Sequence, residues 1–438
     1  MSASEVTERL RGVVGASNVR LVAATFLGIY LAFLAVSVIL GFDLNGTVNT
    51  LRRITFLAAA YALLALALNL QWGYAGLFNI GVAGFMAVAV YTMAILAGSP
   101  SGTPPGLGLS LWVAAIGGMV AAAIVGAVAA LPALRLKADY LAIVTLALGE
   151  IIRISVLSRS FASFTVAGVS LGTGGGQGIS IPDNPVRSLY YLDPSTPTSG
   201  TTPFGSAMFG FFDSLSVPFF SGTGVNNTVV VGWTYALVLL VFVGLFYVLL
   251  RRIGNSPFGR VLKAIREDEL AAQSLGKDTR AFKIQVFMLG CALMGLAAIL
   301  WQGSQGYTSP GEYLPIQTFY VFIALIIGGA GSNTGSIIGG AVFVAFLFEG
   351  PNFVKRIVEN LFSLGNAPNT IVDAVAPLAA LEVGPLITYV IGNIEILRPV
   401  FLGVVLVYLM QRRPDGLLGH RKEIAAAVDL TERGESDG

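Results

Sequence analysis

Ionisable and hydrogen-bonding side chains are scarce in this chain, so the places where they gather carry most of its chemical information. The densest gathering is residues 258–276, Phe-Gly-Arg-Val-Leu-Lys-Ala-Ile-Arg-Glu-Asp-Glu-Leu-Ala-Ala-Gln-Ser-Leu-Gly. Three consecutive carboxylates, Glu267, Asp268 and Glu269, break its apolar stripe and predict two short helices in place of one. Beyond them Ala271 and Ala272 are small enough to admit a neighbouring chain, and Gly276 is placed to end the helix. A merely solvated loop is the plainer alternative. Glu150 and Arg153 stand three apart within an apolar run, a costly placement that demands a partner or a cavity. They either bond to each other and fix helix packing or sit beside a solute path. Asn69 and Gln71 likewise either hydrogen-bond across helices or line that path. Gly331, Gly335 and Gly339 recur at four-residue intervals, which suits close helix packing or an unwound backbone along a path.

Covalent chemistry finds no support. One histidine, His420, and one cysteine, Cys291, leave no metal cluster, disulfide framework or nucleophile–base constellation. The only Gly-Lys step, Gly276-Lys277, is followed by Asp278, so no phosphate loop occurs and any nucleotide hydrolysis is expected on another chain. No cofactor is expected. A formal net charge of +2, without a basic stripe interleaved with aromatics, excludes a nucleic-acid binder.

The elements that must position these groups are membrane helices. Of 438 residues 55% are apolar and only 11% charged, against about 25% charged in a soluble domain. A spanning helix needs about 20 apolar residues, and runs of that kind start near Leu21, Ile54, Ala75, Ser110, Asp139, Val229, Ile284, Tyr313, Ser336 and Ile394. The ninth meets Glu349 early, and the tenth contains Glu395, Arg398 and Pro399, so their limits are poorly marked. Arg9, Arg11 and Arg20 precede an apolar stretch longer than a secretory signal core, which predicts a retained first span. The fold class expected is an all-α integral membrane protein of about ten transmembrane helices with both termini cytoplasmic. That orientation puts eighteen of the 26 Lys and Arg inside, among them Arg135, Lys137 and the eight between 251 and 283, and six outside. The chain divides into a cytoplasmic N-terminus (1–20), a membrane domain (21–411) and a polar cytoplasmic tail (412–438). Within the membrane domain fall an external cap (158–228), a cytoplasmic loop (251–283) and an external insert (351–393).

Several blocks resemble a known family. They are residues 65–76 (Ala-Leu-Ala-Leu-Asn-Leu-Gln-Trp-Gly-Tyr-Ala-Gly), 134–153, 173–179 (Thr-Gly-Gly-Gly-Gln-Gly-Ile), the 258–276 loop, 328–335 (Gly-Gly-Ala-Gly-Ser-Asn-Thr-Gly) and 412–419 (Arg-Arg-Pro-Asp-Gly-Leu-Leu-Gly). In this order they resemble the permease subunit of branched-chain (hydrophobic) amino-acid ABC importers. The resemblance implies that 251–283 is a coupling loop, with Gly259, Arg266, Glu267, Asp268, Glu269, Ala271, Ala272 and Gly276 forming the dock for an ATPase subunit. It implies a translocation path near Asn69, Gln71, Gly76, Asn79, Glu150 and Arg153. It further implies ATP hydrolysis on two partner ATPase subunits, a second permease subunit, an extracytoplasmic solute-binding protein, and a multi-pass place in the lipid of the cell membrane. Two departures bear on the solute: Val82 stands where the family often carries His or Gln, and 351–393 is longer than the family pattern. An ion-coupled carrier or channel is the competing class, but it would place more ionisable groups within the spans. A urea or short-amide permease is the competing solute class.

The charge distribution makes a direct forecast. In a Cys291→Ala background, a cysteine at Ser199 should react with an impermeant maleimide from outside intact cells and one at Gln273 should not. The reverse pattern would refute the orientation.

Overall fold

The computed structural model describes residues 16–418 apart from 134–137, 167, 197, 199, 218–219, 221–223, 363–367, 381 and 413–414. Arg9, Arg11, Arg135, Lys137, Ser199 and His420 lie outside the described residues. The chain is an all-α membrane protein. Its principal helices are α1 (Ala16–Ile39), α2 (Leu44–Leu68), α3 (Val82–Ala97), α4 (Leu111–Ala133), α5 (Ala138–Leu157), α6 (Asn227–Asn255), α7 (Pro257–Glu267), α8 (Glu269–Ser274), α9 (Thr279–Gln302), α10 (Pro315–Gly328), α11 (Asn333–Val342), α12 (Gly350–Phe362) and α13 (Ile394–Arg412).

Among the described residues seven helical stretches are long and apolar enough to cross a bilayer, while Val82–Ala97, Pro315–Gly328 and Arg398–Leu409 are apolar but shorter. All ten expected regions are therefore helical, with shifted limits. The second begins at Leu44, where Asp43 caps the helix by accepting the Gly46 N–H at 2.8 Å. The third begins at Val82 because residues 76–81 are not helical. The ninth runs through Glu349, which is buried and pairs with Arg53 at 2.9 Å, so the charge does not end the stretch Asn333–Asn360. The expected external insert thus opens with α12, a continuation of that stretch, followed by the short helices Ile371–Val375 and Gly384–Gly392.

Helix α2 is the axis of the bundle. Its Ala- and Leu-rich second half is buried throughout, and α6, α9, α10 and α11 pack around it. Between helices surrounded by lipid no hydrophobic force favours association, so close van der Waals contact must supply it. Small residues permit that contact. A Cβ at Gly339 would stand 2.0 Å from the Ala324 carbonyl oxygen, and one at Gly335 would stand 2.4 Å from that of Gly328, so α10 and α11 touch backbone to backbone. Gly331 does not share this face: α11 starts at Asn333 behind its N-cap Ser332, and Gly331 precedes it with φ +90°. On the outside of the bundle α4 presents Trp112, Ile116, Val120, Ile124 and Val128 at four-residue intervals, an apolar stripe suited to hydrocarbon.

The bundle has two dissimilar ends. One carries the loop helices α7 and α8. The other carries a cap over 158–226 made of short helices and two small antiparallel pairs, β1 (Phe164–Val166) with β2 (Val169–Leu171), and β3 (Ile179–Ser180) with β4 (Tyr307–Thr308). Gly178 in the glycine-rich run has φ +77° and passes so near the Thr308 carbonyl oxygen that a Cβ would lie 2.2 Å from it. In the cap, hydroxyls of Ser195 and Thr196 hold the Asp193 carboxyl down at about 2.

The backbone contact between α10 and α11 can be tested. Gly339→Leu should lower the melting temperature and monodisperse yield of the detergent-solubilised chain, by about 1–3 kcal/mol or more in stability. Gly28→Leu on α1, where a Cβ meets nothing within 4 Å, should leave both unchanged.

Candidate functional site

The loop between α6 and α9 is folded by its own capping residues. Ser256 ends α6 and starts α7, donating its hydroxyl to the Ile253 carbonyl at 2.6 Å and accepting the Gly259 N–H at 3.2 Å. Gly259 lets α7 cross the end of α6, for a Cβ there would lie 2.1 Å from the Ile253 carbonyl oxygen. Leu262 and Ile265 face inward, and Phe258 stacks on Phe282 of α9 with ring centres 5.2 Å apart.

The carboxylate run breaks the helix by a definite mechanism. Asp268 takes an extended backbone at the end of α7, and its side chain accepts the N–H groups of Leu270 and Ala271 at 2.9 and 3.0 Å, which starts α8. Glu269 turns back to α9, accepting from Lys283 at 2.5 Å and from the Thr279 hydroxyl at 3.1 Å. Glu267 pairs with Arg266 and is the most exposed of these pairing groups. Gly276 follows α8 with φ +74° and donates its N–H to the Gln273 carbonyl at 2.8 Å. The two alanines face opposite ways: Ala272 is buried within the chain, whereas Ala271 is exposed beside Leu270 and Leu275, which are 74% and 78% exposed.

Arg266 carries the loop into the membrane domain. Its guanidinium donates to the Gly73 carbonyl at 2.5 Å while also holding Glu267. Gly73 lies in a π-helical segment, Asn69–Tyr74, that continues α2. Such wide turns displace backbone groups from the regular ladder, and Arg266 accepts the role of partner for one of them. Gly76, with φ +69°, passes beneath the arginine stem, where a Cβ would lie 3.1 Å from Arg266 Cγ. The Asn69 side chain accepts the Gly331 N–H at 2.7 Å and donates to Asn333 at 3.0 Å. Arg266, the π-helical segment and the glycine-rich turn before α11 therefore form one contiguous contact.

Below it the chain is unwound to residue 81: Gly76 and Leu77 still donate to the Trp72 and Gln71 carbonyls, at 3.0 and 2.9 Å, and beyond them side chains take over. Gln71 donates to the Phe287 carbonyl at 2.8 Å and accepts from Asn79 at 2.8 Å. Asn79 in turn accepts the Gly81 N–H at 2.9 Å, while the N–H groups of Ile80 and Ala83 go to the hydroxyls of Thr145 and Thr318, both at 3.0 Å. Asn69, Gln71 and Asn79 are fully buried. Thr145, Thr318, Asn333 and the Gly73 carbonyl are members that sequence reasoning did not single out. Thr145 and Thr318 were visible only as lone hydroxyls in apolar runs.

Glu150 and Arg153 do not join this cluster. They bind each other through two bonds of 2.8 and 2.5 Å on a partly exposed face of α5. Among the described residues no group of three His, Cys, Asp or Glu side chains is placed to hold a metal ion.

Residues 50–366 match the family described as branched-chain amino acid transport system / permease component. The chain is 34% identical over 301 residues to the high-affinity branched-chain amino acid transport system permease protein LivM of Escherichia coli strain K12, covering 68% of this chain and 62% of that one. It is 33% identical over 285 residues to the protein of the same name in Salmonella typhimurium strain LT2, covering 65% and 60%. With the probable branched-chain amino acid transport permease protein LivM of Methanocaldococcus jannaschii it shares 26% identity over 313 residues, covering 65% and 76%. The matched stretch thus spans less than two thirds of the two bacterial relatives. No solved structure matches the chain.

If Arg266 holds the unwound segment, Arg266→Met should accelerate amide hydrogen exchange in residues 70–77 without reducing membrane insertion. Arg260→Met, on an exposed part of α7, is the control. Equal exchange in the two variants would show that the arginine fastens nothing.

Proposed function

We propose that this chain, which belongs to the family of branched-chain amino acid transport permease components, translocates a branched-chain or other hydrophobic amino acid by ATP-driven alternating access. Its relatives are named as transport permease proteins, and the chain is a multi-pass membrane permease. ATP is hydrolysed on two separate ATPase subunits docked at the end bearing α7 and α8, which faces the cytoplasm. A second permease subunit completes the path, and an extracytoplasmic binding protein delivers solute at the capped end.

The bond from Arg266 to Gly73 carries this reading. A partner pressing on α7 and α8 would displace Arg266, and with it the one stretch of α2 that is not regular helix. Two arrangements of such a segment are what an alternating-access cycle needs. Leu270, Ala271 and Leu275 form the exposed part of the dock. Ala272 supports it from below, so a bulky residue there would disrupt the loop itself.

Ala271→Arg places a charge where the partner must sit and should reduce ATPase co-purification about 100-fold or more, given a cost of several kcal/mol for an unmatched charge in an interface. ATP-dependent leucine uptake in proteoliposomes should fall with it, while membrane insertion and the second permease remain. Full uptake and normal assembly would instead favour a self-sufficient carrier. Calorimetric titration of the cognate binding protein with leucine and with urea decides between the solute classes.

A further inference from the structure

At the capped end a cavity of about 380 Å³ lies between the cap, α2 and α6, within the size of small-molecule sites, about 300–1,000 Å³. Its polar lining consists largely of donors. Arg52 is fixed by one bond, from its Nε to the Asn49 carbonyl oxygen Oδ1 at 2.9 Å. Its stem lies against Gly232 of α6, where a Cβ would come within 2.7 Å of Arg52 Cδ. The absence of a side chain at 232 is therefore what lets the guanidinium occupy this place. Its two terminal nitrogens have no carboxylate partner among the described residues. Neighbouring Arg53 is neutralised by Glu349, which shows that the fold compensates one of these adjacent charges and not the other.

Two further donors line the same cavity. Arg187 spends one terminal nitrogen on Asp183 at 3.0 Å. Asn184 is 9% exposed and accepts the Val186 N–H through its oxygen, which leaves its amide NH₂ as the group available to a ligand. Among the described residues no Asp or Glu lines the cavity. Phe56, Val231 and the ring of Tyr235, whose hydroxyl is committed to the Leu300 carbonyl, give it an apolar wall.

We infer that this cavity is a binding site for the carboxylate of a small amphipathic solute, with Arg52 as the principal anchor, Arg187 and Asn184 beside it, and the apolar wall taking an aliphatic tail. A guanidinium without its own carboxylate is matched in charge and fork geometry to such a group. That the tail belongs to a hydrophobic amino acid rests on the proposed function; the carboxylate site does not.

The test is phenylglyoxal modification of the full chain in lipid nanodiscs, with Arg52 followed by peptide mass spectrometry and Arg260 as the reference. Leucine and isovalerate should each slow modification of Arg52 by about tenfold, the factor given by ligand at roughly ten times its dissociation constant. Isoamylamine, which lacks the carboxylate, should not slow it. Arg187→Gln should weaken the protection. Absence of protection by both carboxylates, or equal protection by the amine, overturns the site. So does protection that appears only when an extracytoplasmic binding protein is added, since the face would then be a protein dock. Protection by isovalerate in a chain that fails to support leucine uptake would remove the amino-acid reading and keep the site, whereas uptake without protection would do the opposite.

Discussion

A backbone amide or carbonyl without a partner costs several kcal/mol in a hydrocarbon surrounding, and this chain unwinds its central helix there. Every feature near the break follows from that cost. Asn79, Thr145 and Thr318 supply acceptors for N–H groups that a regular helix would have paired internally. Arg266 serves the opposite need, bringing a donor to the Gly73 carbonyl. The α2–α3 break is held by five other parts of the chain: α5, α7, α9, α10 and the turn before α11. A change in any of them therefore acts on the same segment, which ties the loop between α6 and α9 to residues buried within the bundle.

Small residues answer a second constraint. Helices in lipid gain from contact only when their backbones come near, and the α10–α11 pair shows the limit of that approach, with Gly335 and Gly339 set against Gly328 and Ala324. The C-terminal segment completes the arrangement: Leu417 and Leu418 donate to the Ile327 and Gly328 carbonyls, and so close the end of α10 beside the turn that bonds to Asn69.

Local features were legible in the sequence, and long-range ones were not. The apolar runs located the helices, and the Glu267–Glu269 run marked the break between α7 and α8, because capping depends on residues within one turn. Glu150 and Arg153 could be foreseen as a pair for the same reason: they are three apart on a helix. Glu349 was misleading as a helix limit, since its partner Arg53 is 296 positions away and nothing local announces it. The Arg266 contact escaped notice more completely. Its acceptor is a main-chain carbonyl exposed by a π-helical turn, and no side-chain type encodes that. Ala271 and Ala272 were alike in sequence, and only the packing of α8 distinguished the exposed one from the buried one.

The separations within the central cluster also impose an order on biosynthesis. Asn69 finds its partners Gly331 and Asn333 at 262 and 264 positions downstream, and Gln71 meets Phe287 at 216. At about 5–20 residues per second, α2 waits in the membrane for roughly ten seconds or longer before those groups emerge from the ribosome. During that time its buried amides can bond only to water at the bilayer surface, to the insertion machinery or to one another. The contacts from residues 417 and 418 form later still, so this end of the bundle is assembled after the helices that make it have already been inserted.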